Sequence, residues 1–395
     1  VEAVSIKNDS FNNSSSSPKF ADVSRILTTA TADGAFGGAV LVVGKKGKVL
    51  YSECVGVRSS TLDKEHPPLP TSLQCVFDIG ALTGSIATTT LLMKLVEIGK
   101  LRLEDRIAQY IQGFGVFGKS LVTVGEVLCH ISGLPHWHPY YEELIKENAG
   151  ARMGILTSRG ARDYIVNAIN RSQLKNPPGT KQGYSDLGFL LLGNLVEVLT
   201  ALPLDRALSK FITTPLGLSS TSFIDLQMVK RRGLSANTDV VVPTEECPWR
   251  KRLLWGEVHD DNAWAMGGVA GHSGVFSSAP DLHILATTLI ESYHGRSPFL
   301  NASVVKRFWR GPEDLENSVW RYGWEAPSKE NGLAEVGFSP AAVGQHGFTG
   351  CSLWIDPQKE LDIVLLTNRV HPTRTNKRLQ AIRPELFGAI LQAAK

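Results

Sequence analysis

The sequence is poor in the features that would tie it to a membrane, to nucleic acid or to a disulfide framework. No run of about 18 apolar residues occurs in it, so no segment is expected to span a bilayer. Charge is nearly balanced, with 41 basic and 38 acidic side chains. These are dispersed rather than blocked, which argues against a nucleic-acid track or a membrane-binding stripe. The five cysteines, Cys54, Cys75, Cys129, Cys247 and Cys351, are scattered, odd in number and without paired metal spacing. They read mostly as small buried apolar residues. The first residues lack the basic-then-apolar order of an export signal. What is present is a 395-residue chain, 43% hydrophobic, long enough to bury a large core.

Residues 1–18 are rich in Ser and Asn and poor in packing residues, and are expected to form a disordered N-terminal segment. Apolar spacing then predicts a helix over Ala21–Ala32. GGAVLVVGKKGKVLYSECVG reads as a β-hairpin, and CSLWIDPQKELDIVLLTNR as a second hairpin turning at Asp356-Pro357. In the closing segment Leu379, Ile382, Leu386 and Ile390 mark one helical face, with Pro384 near its start. Between the hairpins lie segments of helical period, TGSIATTTLLMKLVEIGK, VTVGEVLCHIS, ARDYIVNAIN and LGFLLLGNLVEVLTA. The pattern predicts an α+β fold, in which one antiparallel sheet built from both chain ends is flanked by helices and carries a helical lobe. The expected division is a sheet-containing subdomain over 19–66 and 265–395 and a mainly helical one over 67–264. A ligand cleft is expected between them.

Five segments carry a family resemblance: FDIGALTGSIATTTLLMKLVEIGKLRLEDRIAQYI, VLCHISGLP, PPGTKQGYSDLGFLLLGNLVE, GGVAGHSGVFSSAPDL and GQHGFTGCSLWIDP. In order and separation they resemble the class C β-lactamase, DD-peptidase and esterase family over nearly everything after residue 20. The resemblance implies that family's fold, a periplasmic or extracellular setting, and a peptide, peptidoglycan-fragment or other acyl ligand in the cleft. It implies no cofactor and no metal.

The family's first motif, S-x-x-K, needs a hydroxyl to attack and an amine one helical turn on to take its proton. Here the tetrad is Ala81-Leu82-Thr83-Gly84. A methyl group cannot attack a carbonyl, and glycine offers no base. Ser85 does not replace the nucleophile: it stands a full turn further along, and three positions beyond it is Thr88 rather than a lysine. The second motif, Y-x-N, is matched by Tyr184-Ser185-Asp186, which keeps the phenol and exchanges the amide for a carboxylate. Such a carboxylate is expected to raise the phenol's pKa. The third, K-T-G or H-T-G, aligns with Gln345-His346-Gly347, so the cationic position is Gln345 and a histidine stands at the threonine position. A slip of one residue would bring His346 into the older role. The family's oxyanion hole falls on the backbone N–H groups of Ala81 and Phe348, which need no side chain, and Gly347 and Phe348 are the expected ligand-binding positions.

His136 and His138 beside His130 lack the further ligands of a zinc shell, and His130 is expected to be scaffold. His259, Asp260, Asp261, Asn262 and His272 read as polar groups fixing a glycine-rich loop, some bordering the cleft. The expectation is a catalytically degenerate serine hydrolase that binds a small-molecule or peptide ligand. The alternative is an active esterase- or peptidase-type hydrolase working through Tyr184 or His346.

Overall fold

The computed structural model describes residues 18–59, 68–150, 155–232, 239–312 and 318–395. The expectation of disorder over 1–18 therefore lies outside the described residues, apart from Pro18, which opens a short 3-10 turn ending at Phe20.

Seven antiparallel strands form the main sheet: β1 (Gly38–Lys45), β2 (Lys48–Gly56), β3 (Trp320–Arg321), β4 (Trp324–Glu325), β5 (Val343–His346), β6 (Ser352–Asp356) and β7 (Leu361–Thr367). Their spatial order is β2-β1-β7-β6-β5-β4-β3. The two chain ends meet where β1 pairs with β7, from Ala39 opposite Thr367 to Lys45 opposite Leu361. Both expected hairpins are present, as β1–β2 and β6–β7.

Alternation along the strands sorts two cores. Leu41, Val43, Trp354, Ile363 and Leu365 face one side. There α1 (Ala21–Ala32) packs Val23, Ile26, Leu27 and Ala30, a spacing of i, i+3, i+4 and i+7 that puts all four on one stripe. The closing helix, Arg378–Ala393, buries Leu379, Leu386, Phe387 and Ile390 on the same side, while Ile382 sits at the margin and Arg383 takes an inward place. On the other face Val40, Val42, Leu353, Ile355 and Val364 meet the central helices. Two of these matter for the site: α2 (Thr90–Glu97), which continues a π-helical turn over Gly84–Thr89, and α3 (Asp186–Thr200). Cys75, Cys129, Cys247 and Cys351 are buried, Cys54 is half-buried, and all five are free thiols.

Candidate functional site

A cleft of about 510 Å³ opens between the head of the helix after Gly80, the loop before α3 and the end of β5. Its walls include Ala81, Tyr184, His272, Phe348 and Arg369.

Ala81 is held by a short strand and a turn. Phe77–Asp78 pairs with Val275–Ser277; the Asp78 carboxylate then accepts hydrogen bonds from the Gly80 amide at 2.9 Å and the His259 amide at 2.7 Å. Gly80 adopts φ +54°, and a side chain there would come within 3.3 Å of the Phe348 amide nitrogen. The helix head and the end of β5 are therefore in close approach. Among the described residues, neither the Ala81 nor the Phe348 amide has a backbone acceptor.

At Gly84 a Cβ would stand 2.9 Å from two ring carbons of Phe189. That ring is 4% exposed and fills the space that a side chain at 84 would enter. Ser85 is buried and its hydroxyl donates to the Gly323 carbonyl at 2.8 Å. It is a packing serine.

Tyr184 and Asp186 sit at the head of α3, where the Ser185 hydroxyl caps Gly188 N–H and donates to the Pro135 carbonyl at 2.6 Å. His130 fixes the same turn by accepting the Ser185 N–H at 3.0 Å, with its ring packed on Tyr184, Phe189 and Trp320. Burial pushes the His130 imidazole down to about 3, so it stays neutral scaffold. The Tyr184 hydroxyl bonds to Asp186. Burial first, and then the Asp186 charge, raise the phenol's pKa well above its ordinary value. Burial likewise raises Asp186.

Strand alternation separates the two side chains of the third-motif segment. Gln345 lies opposite Leu353 and shares the face of the Ala81 helix; His346 lies opposite Ser352, with its ring against Trp354 and Phe387. His346 Nδ1 is 2.8 Å from Ser352 Oγ. Burial, followed by Arg383, holds its imidazole well below the ordinary pKa. His346 nonetheless borders the cleft.

Of the remaining cleft groups, His259, Asp260 and His272 come from the glycine-rich loop marked in the sequence, while Arg369 and Arg383 carried no motif. His272 is 3% exposed, and its Nε2 is 2.9 Å from Asp260 Oδ1. Burial alone would depress this imidazole, but the charge and hydrogen bond of Asp260 outweigh it and hold its pKa above 6.5. The segment bearing His272 approaches α3 glycine to glycine: a Cβ on Gly193 would lie 2.8 Å from Gly271 Cα. Arg369 sits 4.5 Å from the Phe348 ring centre, and the His259 ring stacks on Phe348 at 5.7 Å. Arg383 is pushed down to about 10 by burial and by Arg369. His136 Nδ1 is 2.7 Å from the Tyr184 carbonyl oxygen, and His138 Nε2 is 2.6 Å from Glu143, so the two rings serve separate partners.

A mixed helix and sheet cleft of this topology, with Ala81, Tyr184 and Gln345 around one corner, defines a serine-hydrolase type of scaffold. The Beta-lactamase family model matches residues 23–386, and the chain belongs to that family. A curated relative from Escherichia coli K12, "Putative D-alanyl-D-alanine carboxypeptidase", is 33% identical over 352 residues, covering 84% of this chain and 78% of its own. A protein of the same name from Salmonella typhi is 32% identical over 346 residues, covering 83% of this chain and 76% of its own. Among solved structures, EstCE1, a hydrolase with promiscuous acyltransferase activity, superimposes with a TM-score of 0.69 at 18% identity, covering 93% of this chain and 98% of that one. A penicillin-binding-protein homologue from Caulobacter crescentus gives 0.65 at 18% identity, covering 89% and 92%. These structures share the fold.

Proposed function

We propose that the protein binds an acyl-group ligand, of the peptide, peptidoglycan-fragment or ester kind, in this cleft without passing through a serine acyl-enzyme. The ligand class follows the names of its relatives, "Putative D-alanyl-D-alanine carboxypeptidase" and a hydrolase with promiscuous acyltransferase activity. The observation that carries the proposal is the Phe189 ring 2.9 Å from the Cβ position of Gly84, because the room for the family's lysine is taken as well as the lysine itself. Ala81 removes the nucleophile and Gln345 the cation of the third motif. The amides of Ala81 and Phe348 are left as a pair of donors for a carbonyl oxygen. In the same proposal the cleft is the seam between the subdomain of 19–66 and 265–395 and that of 67–264.

The alternative of turnover through Tyr184 or His346 draws no support from those side chains. A phenol whose pKa is raised by burial and Asp186 keeps its proton at neutral pH, and an imidazole pushed well down is a weak base. The test is incubation of the purified chain with a fluorescent penicillin and with a fluorophosphonate, followed by intact-mass measurement. No adduct is expected, while a D-alanyl-D-alanine peptide raises the melting temperature. An adduct on the turn bearing Ala81 or Ser85 would sink the proposal.

A further inference from the structure

Behind the cleft lies a second chamber of about 10 Å³, bounded in part by Ala81, Tyr184, His272 and Gln345. That is the room one water molecule needs. Ala81, Tyr184 and His272 line both this chamber and the cleft, so the two meet at the position where the family carries its nucleophile. Two of the lining side chains each have a buried polar atom without a hydrogen-bond partner among the described residues, Gln345 Oε1 and His272 Nδ1. The residues are 6% and 3% exposed. Leaving such atoms dry is unfavourable, and proteins commonly satisfy them with an ordered water.

We propose that this chamber holds a water in place of the seryl hydroxyl, and that His272, oriented by Asp260, is the general base that delivers it to an ester carbonyl lodged against the Ala81 and Phe348 amides. Asp260 accepts a hydrogen bond from His272 Nε2–H and so fixes the tautomer whose lone pair is on Nδ1. The water oxygen bonds to the acyl carbon as Nδ1 takes its proton, and the carbonyl oxygen's developing charge falls to the two amides. Collapse breaks the bond to the leaving alcohol, which departs with the proton returned by the imidazolium, giving acid and alcohol with no covalent enzyme intermediate.

Asp260 and Asp186 act on the His272 charge, Tyr184 and the neutral His130 share its chamber, and His259, Asp261, Arg369, Arg374 and Arg383 stand across the cleft that it lines. Both carboxylates favour the imidazolium, so the basic form prevails only above 6.5. This inference extends the acyl-enzyme-free proposal and fails separately from it. An adduct would defeat that proposal; an absence of both adduct and turnover would defeat only this one.

The experiment is steady-state hydrolysis of 4-nitrophenyl acetate and butyrate by the intact chain from pH 5 to 9. Saturable hydrolysis without a burst is expected, rising with pH along a limb centred above 6.5. His272→Gln should cut kcat by about a hundredfold or more, the scale of a positioned base, and abolish that limb. Asp260→Asn should move the limb to lower pH. Because His272 is buried and its loss is a risk to folding, Gln345→Leu provides the second variant. Its side-chain oxygen has no protein partner among the described residues, and the variant should lower kcat with KM little changed. Absence of saturable hydrolysis by the folded wild-type chain overturns the inference, as do wild-type rates in both folded His272→Gln and folded Gln345→Leu.

Discussion

A Cβ at position 84 and the Phe189 ring compete for one volume: the separation from Cδ1 and from Cε1 is 2.9 Å in each case. Gly84 opens the π-helical turn that precedes α2, and Phe189 lies in the first turns of α3. The ring is wedged against His130 at 5.3 Å, so it cannot swing aside without disturbing the Tyr184 turn. Restoring the family's lysine therefore requires expelling a buried aromatic ring as well as burying an ammonium group.

Gly84→Lys is accordingly expected to destabilise the fold by about 1–3 kcal/mol through overpacking, with the desolvation of the amine added to that. In urea titrations, combining it with Phe189→Ala should cost less than the two single changes together, with a coupling of about 0.5–3 kcal/mol. Strict additivity would mean that the two positions do not share the space. The pair Ala81→Ser with Gly84→Lys should remain unlabelled by a fluorescent penicillin for as long as Phe189 is present.

The hairpins, α1 and the closing helix were legible because each is a local pattern: period 2 between turn residues, or one apolar stripe at helical spacing. Tyr184, Asp186 and Ala81 were legible because they sit in short motifs. Phe189 was not, since a phenylalanine in an apolar helix carries no sign of which distant residue it touches. The faces that Gln345 and His346 take depended on sheet pairing. The His272–Asp260 pair did leave a trace in sequence, two polar residues at either end of one glycine-rich stretch, but the same trace marks an ordinary loop.

Glu245 ties the far wall of the cleft together. Its carboxylate meets His259 Nε2 at 3.2 Å and Arg374 Nε at 2.7 Å, and Arg374 reaches on to Asp261 at 3.0 Å. Burial would raise this carboxyl, but His259 and Arg374 outweigh it and bring it to about 2. The folded pKa lies below the unfolded one, so the stabilisation is present above pH 4.5 and is lost as pH falls towards 2. Glu245→Gln should cost about 2–3 kcal/mol at pH 7. This is less than the 3–5 typical of a fully buried pair, because the Arg374 side chain is 32% exposed. The penalty should shrink in acid, and denaturant titrations at pH 7 and pH 3 measure both values.

Ser185 performs two tasks with one hydroxyl, capping α3 through Gly188 N–H and bonding to the Pro135 carbonyl. Ser185→Ala should cost about 1 kcal/mol for the cap. It should also loosen the Tyr184 turn, and faster amide exchange at Tyr184–Gly188 is the readout. Unchanged exchange would leave the turn to His130 alone.

Glu325, on β4, has the opposite sign. Burial pushes its carboxyl up to about 7, against the pull of Asn331, which donates to it at 3.0 Å, and of Arg383. Between pH 4.5 and about 7 the folded chain keeps a proton that the unfolded chain has released. The native state therefore binds more protons, and stability must fall as pH rises through that window. The loss amounts to at most about 3 kcal/mol at 1.36 kcal/mol per pKa unit, and the curve flattens above 7. Glu325→Gln keeps the donor from Asn331 satisfied and removes the titration, so its stability at pH 8 should exceed that of the wild type, with the two converging near pH 4.5. Parallel wild-type and variant curves across this range would place the Glu325 carboxyl in the ordinary range, ionised at neutral pH and part of the acidic charge that bears on Tyr184.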